Sequence, residues 1–304
     1  MKRKSGLKTL NIILSIVLVV CIVATVVMVS KPVKVENTTT EENTGDVAVI
    51  DAFAAGTYGG KDFQSIEDVV NYYNECYAHT KTLTAEYDEN GETKTYYKLV
   101  GDEKLNISNL LVEGKSNSML DSLVPGIAGG LFSGNVIGLS PSGNRARDLD
   151  TRADGAMDCT VSHLTADDVL EANVVDNNDG TINITIQPKA ALLSMPGEDS
   201  QGRFFNSLGD ISSVVSSIDV LSFSSGTVDD NFVVDYKGGT GTVTINTSTN
   251  EITAGDFEMK VHINVSHANV AVLKDKSASL DISYTNHYPA DDQYLMDSRK
   301  ITRK

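Results

Sequence analysis

The chain has 304 residues, with 25 Lys and Arg against 41 Asp and Glu, five histidines, three cysteines and no tryptophan. The formal net charge is −16, and because residues 1–30 carry only basic charges, residues 31–304 hold 21 basic and 41 acidic side chains. A surface that acidic repels phosphate backbones and anionic headgroups, which argues against nucleic-acid binding and against docking on anionic lipid.

At the N-terminus, Lys2, Arg3, Lys4 and Lys8 precede an apolar run over residues 12–29, interrupted only by Ser15, Cys21 and Thr25. At about 1.5 Å per residue that run spans roughly 27 Å, close to the hydrocarbon thickness of a bilayer. A chain in lipid must satisfy its own backbone, so the run is expected to be helical despite its β-branched residues. The basic cluster sets the N-terminus inside and the rest of the chain outside. A cleaved signal peptide is the rival reading. The run exceeds the usual h-region and lacks a small-x-small site near its end, which favours an uncleaved anchor. Leu18-Val19-Val20-Cys21 is a poor lipidation site, since Val precedes the cysteine and the chain stays apolar after it.

The expected organisation is therefore a cytoplasmic basic tail (1–11), a transmembrane signal anchor (12–29), a flexible tether (30–61), an extracytoplasmic α+β domain (62–288) and a disordered C-terminal tail (289–304). Within the tether, residues 37–43 have no hydrophobic period, Gly56, Gly59 and Gly60 close the stretch, and residues 46–55 offer at most a short strand. The spacing of Ile66, Val69, Val70, Tyr73, Cys76 and Tyr77 predicts a helix over residues 65–79, capped by Ser65 with Asp68 three residues on. Strands are expected at 82–87 and 93–99 around the hairpin dipeptide Asn90-Gly91, and again at 104–112.

Residues 118–139 are apolar, glycine-rich and poor in charge. Leu120, Leu123, Ile127, Leu131 and Phe132 could line one face of a loose helix there, and they are the candidate lid over an apolar cavity. Residues 140–155 read as a polar loop. Beyond it come strands at 169–175 and 181–187, the second alternating Ile182, Ile184 and Ile186 with Asn183, Thr185 and Gln187. Phe204, Leu208, Ile211, Val215 and Ile218 predict a second amphipathic helix. Strands follow at 232–236, 242–246, 252–265 and 278–284, with turns expected at Gly238-Gly239 and at 248–250. Together these elements predict an α+β fold. A curved, half-barrel-like antiparallel sheet would carry two or three helices on its dry face, behind one N-terminal transmembrane helix.

Cys76 and Cys159 lie outside the apolar run, where a disulfide between them would persist. Two buried thiols that never meet is the alternative, and spacing alone does not separate the two. Chemical motifs are scarce. From Asp150, an EF-hand pattern fails at Arg152 and Val161. His79, His163, His262, His267 and His287 form no zinc-type pair. Neither a nucleophile elbow, a Walker loop nor a dinucleotide fingerprint is present. Asn-x-Ser/Thr triplets at Asn37, Asn106, Asn183, Asn246 and Asn264 matter only in a glycosylating cell. The pattern points to neither an enzyme nor a cofactor.

A membrane tether, a helix around Val69-Val70-Asn71-Tyr72-Tyr73, hairpins and long final strands around Gly255-Asp-Phe-Glu-Met259 give a layout that resembles LolA-type lipoprotein carriers and related lipid-carrier lipoproteins. The layout also resembles tethered, strand-rich ectodomains of unknown function in Gram-positive anaerobes. The resemblance is one of element order over about residues 62–288, so no family binding residue carries over. It implies a sheet with helices closing an apolar cavity, and thus an extracellular, membrane-anchored module for a lipid or other apolar ligand. The alternative is a non-enzymatic envelope protein that presents a sheet face or edge to a partner protein.

Overall fold

The computed structural model describes residues 47–97, 101–116, 164–195, 197–205, 207, 221–270 and 273–304. The apolar run at 12–29, the stretch at 118–139, the loop at 140–155 and most of the helix expected after Phe204 lie outside these residues. No helix of the described residues is long and apolar enough to cross a membrane.

The architecture is mostly antiparallel sheet with few helices. The chain enters through a short pair, β1 (Gly56–Tyr58) and β2 (Lys61–Phe63), followed by helix α1 (Ile66–Thr80). Next come β3 (Thr84–Glu89), β4 (Glu92–Tyr97), β5 (Asp102–Val112) and the short β6 (Lys115–Ser116). After the undescribed stretch follow β7 (Val169–Asp176), β8 (Thr181–Pro188), β9 (Ala191–Leu192) and β10 (Leu221–Phe223). A single helical turn, α2 (Val228–Asn231), leads into three long strands, β11 (Phe232–Asn246), β12 (Glu251–Val270) and β13 (Leu273–Tyr288). The chain closes with α3 (Asp292–Tyr294) and β14 (Ile301–Arg303).

Nine strands form the main sheet in the order β6-β5-β13-β12-β11-β8-β7, with β10 beside β12 and β9 beside β11. The strands alternate as expected. Ile182, Ile184 and Ile186 are buried, as are Phe257, Met259 and Val261, while Asn183, Thr185, Glu258 and Lys260 between them are more exposed. Helix α1 packs its stripe of Val69, Val70, Tyr73, Cys76 and Tyr77 on the dry face, against β12 and β7. Its start is a full capping box: Ser65 Oγ accepts from Asp68 N at 3.3 Å, and the Asp68 carboxylate accepts from Ser65 N at 2.9 Å. Those donors, from Gln64 and Ser65, hold Asp68 below the usual carboxylate range. At the other end, Thr80 Oγ1 donates to Cys76 O and accepts from Ile252 N at 2.8 Å, tying the helix to the start of β12.

Four sequence expectations need correction. Gly238-Gly239 is not a turn between two strands, because β11 runs unbroken from Phe232 to Asn246 and takes one bulge after Tyr236, with Gly238 at φ 94. Residues 289–304 are not a frayed tail. Ile301–Arg303 pairs with β3, and Ala290, Leu295 and Ile301 bury with Tyr87 in a second small core. The tether does not stay detached up to residue 61, since residues 48–59 lie along β7 and β8. Gln187 accepts from Ile50 N and donates to Ala48 O, Glu171 accepts from Phe53 N, and Asp176 accepts from Gly59 N at 2.7 Å. Residues 47–55 are not a strand; their backbone is met by side chains instead.

Candidate functional site

Two places on the molecule concentrate features that packing alone does not demand. The first is the dry face of the main sheet. Its β11–β12 end is closed by α1 and by an aromatic cluster. Phe204 and Phe205 stand edge to face at 4.9 Å, and Phe204 lies 5.4 Å from Phe257 and 5.7 Å from Tyr73. The glycines of β11 make room for them. A Cβ on Gly241 would sit 2.6 Å from the Phe204 ring and 2.5 Å from that of Phe257; on Gly239 it would meet the Glu258 carbonyl at 2.0 Å. The glycine run is thus a floor for aromatic rings.

The turn that delivers these rings is polar and rigid. Asp199 accepts from Ser194 Oγ, Met195 N, Gln201 N and Gly202 N at 2.6–3.0 Å. Arg203 reaches both carboxylate oxygens of Asp168, at 2.9 and 3.1 Å. Burial raises the Asp168 carboxyl, but Thr165 and Arg203 outweigh it and the net shift is downward.

Further along the same face the apolar surface continues without that cover. Leu105, Ile107, Phe232, Val265 and Leu280 are only half-buried, yet they adjoin the core. The register places them side by side: Ile107 opposite Ile282, Leu280 opposite Ile263, and Val265 between Phe232 and Ala278. Lengths explain the exposure. A 15-residue helix reaches about 22 Å, while the 20 residues of β12 extend about 65 Å, so α1 cannot cover the strand it packs on.

The second place is a polar cluster where β2, α1 and the β11–β12 turn meet. Asn250, at φ 55 in that turn, accepts on Oδ1 from Lys61 Nζ at 3.2 Å and from the Tyr72 hydroxyl at 3.0 Å. Its Nδ2 donates to Glu75 Oε1 at 3.3 Å. The ammonium of Lys61 also lies 5.3 Å from the centre of the Tyr72 ring. Next to them Cys76 is fully buried with a free thiol, which burial pushes up to about 11. Burial, together with Cys76 and Glu75, raises Tyr72 as well.

On the wet face, three histidines meet aspartates along the β12–β13 hairpin: His262 with Asp281 at 2.5 Å, His287 with Asp256 at 2.5 Å and His267 with Asp275 at 2.6 Å. The first two are cross-strand register partners. Among the described residues no group of three or more His, Cys, Asp or Glu could hold a metal ion.

Of the sequence candidates, Cys76 is placed and buried. Leu120, Leu123, Ile127, Leu131, Phe132 and Cys159 lie outside the described residues. Sequence reasoning missed the Phe204–Gly241 packing, for which the GGxG run within an alternating stretch was the available signal. It also missed the Lys61–Asn250 cluster, whose members are 189 positions apart. Comparison with family models, curated proteins and solved structures finds no match to this chain.

Proposed function

We propose that this protein is a membrane-anchored extracytoplasmic module that binds a lipid or other apolar ligand on the dry face of its sheet, a half-barrel-like surface with helices on one side. The carrying observation is the half-buried strip of Leu105, Ile107, Phe232, Val265 and Leu280, which prolongs the core beyond the reach of α1. Contiguous apolar surface that is left partly wet is a common mark of a binding face. Anchoring through residues 12–29, with the basic cluster inside, would place that face next to the outer surface of the membrane. The acidic character of the exposed chain disfavours adsorption to anionic headgroups, which suits a protein that must take up an apolar ligand without sticking to the bilayer.

The test is native mass spectrometry of residues 46–304 purified without detergent, then repeated under denaturing conditions. Extra mass that vanishes on denaturation supports the reading and reports the ligand class. A bare mass, together with failure of the delipidated protein to bind any fluorescent fatty-acid or phospholipid probe, overturns it.

One observation favours a second reading, an envelope-interaction protein. Strand β5 pairs with β13 along one edge, while among the described residues its other edge is paired only at Leu111 and Val112, by β6. An open edge of that length suits strand addition by a partner protein. Asn106→Pro should then abolish partner recovery from envelope extracts without altering probe binding.

A further inference from the structure

We propose that Lys61 and Asn250 become joined by an intramolecular amide bond, made by the chain itself. The three side chains around Asn250 supply the parts that acyl transfer at an amide needs. Lys61 Nζ is the nucleophile, 3.2 Å from Asn250 Oδ1. The Tyr72 hydroxyl donates to that oxygen at 3.0 Å, where negative charge develops. Glu75 accepts from Asn250 Nδ2 at 3.3 Å, beside the group that must leave. The Tyr72 ring holds the lysine head 5.3 Å from its centre.

The free-amine form of Lys61 attacks Asn250 Cγ. The Nζ–Cγ bond forms and the carbonyl π pair moves to Oδ1, held by Tyr72. Solvent water, which reaches the half-buried Nζ and the exposed Glu75, carries a proton from Nζ to the Glu75 carboxylate, and Glu75 delivers it to Nδ2. The carbonyl then re-forms, the Cγ–Nδ2 bond breaks and ammonia leaves. Nothing is oxidised or reduced, and no co-reactant enters. Lys61 and Asn250 are half-buried and Glu75 is exposed, so ammonia has a path to solvent.

The reaction happens once per molecule. A slow step is enough when the amine is held against its target, because proximity stands in for concentration. The product would fasten β2, near where the chain enters the fold, directly to the turn between β11 and β12. Force arriving along the N-terminal segment would pass into the sheet through a covalent bond. The cross-link does not depend on whether the dry face binds a ligand.

The full-length chain is incubated at pH 9, denatured, weighed intact and digested with trypsin. Wild type should lose about 17 Da, the mass of one ammonia. Because an amidated Lys61 is no longer cleaved, digestion should yield a branched peptide joining residues 35–81 to residues 238–260. Lys61→Arg and Asn250→Ala should retain full mass and give linear peptides only. Glu75→Gln and Tyr72→Phe should slow the loss by about tenfold or more. Wild type at full mass with Lys61 cleaved overturns the proposal. So does a gain of about one mass unit at Asn250, which marks plain deamidation.

Discussion

The two ends of the dry face are built from the same kind of residue and end in opposite states. At the β11–β12 end, Ile182, Ile184, Ile186, Val243, Ile245 and Ile252 are sealed under α1, Phe204 and Phe205. Toward the β12–β13 tip, Ile107, Leu280, Val265 and Phe232 continue the same stripes and stay half wet. Strand alternation sets which side of a sheet is apolar, but the length of the covering elements sets how much of that side becomes core. Mutations at the closed end should therefore cost stability, and, under the proposed binding role, those at the open end should cost ligand.

The largest effect is expected for Phe204→Ala. The ring touches Tyr73, Phe205, Phe257 and the floor at Gly241, so its loss leaves a cavity that the strands cannot fill. Chemical denaturation should show about 4 kcal/mol of lost stability. Gly239→Ala should follow at about 3 kcal/mol, since the new methyl meets the Glu258 carbonyl and neither strand can retreat without breaking its ladder. At the open end, Leu280→Ala removes a side chain that water already reaches. It should lower stability by about 1 kcal/mol while weakening fatty-acid probe binding by about tenfold. Equal stability losses at Leu280 and Phe204 would erase the distinction between the two ends.

Acid should open the closed end through Asp168. Its carboxyl is lowered in the fold, so its contribution is complete above the ordinary value of about 4 and is lost as pH falls through the lowered one. Protonation frees Arg203 from both carboxylate oxygens and loosens the turn that carries Phe204. Arg203→Ala should reproduce at neutral pH a loss of about 1.5 kcal/mol and flatten the acid limb of the stability profile. An unchanged acid limb in that variant would mean that Asp168 does not hold the turn.

Much of the fold was legible because it is local. The Ser65–Asp68 capping box, the stripe on α1 and the Asn90-Gly91 and 248–250 turns involve residues a few positions apart. What escaped depends on partners far along the chain or on a change of phase. In β11 the buried set is Phe232 (partly), Val234 and Tyr236, then Gly238 and Gly239 together at the bulge, and Gly241, Val243 and Ile245. The extra residue at Lys237 shifts the alternation from even to odd, which in sequence looks like two strands and a turn. In β5 the phase changes from Leu105 and Ile107 to Leu110 and Val112 across Asn109, at φ 51. The C-terminal strand is invisible to pattern because only Ile301 of its three residues is buried. The polar cluster at Asn250 was out of reach for the same reason, since nothing in the sequence near Lys61 announces a partner 189 residues away.

The smallest effect is also the sharpest test of how dry the closed end is. Tyr73 is fully buried between α1 and the Phe204 ring, and among the described residues its hydroxyl has no hydrogen-bond partner. Burial alone raises its pKa, so it stays neutral at any physiological pH. A buried hydroxyl without a partner keeps its desolvation cost and gains nothing in return. Tyr73→Phe keeps the ring and its contacts with Tyr77 and Phe204 while removing that cost. If the closed end is a dry core, the variant should be more stable than wild type by about 1 kcal/mol in equilibrium unfolding. A loss of similar size would mean that the hydroxyl meets water or a ligand group in solution. The boundary between core and binding face would then lie beneath α1, and the strip that takes up ligand would run the whole length of the sheet.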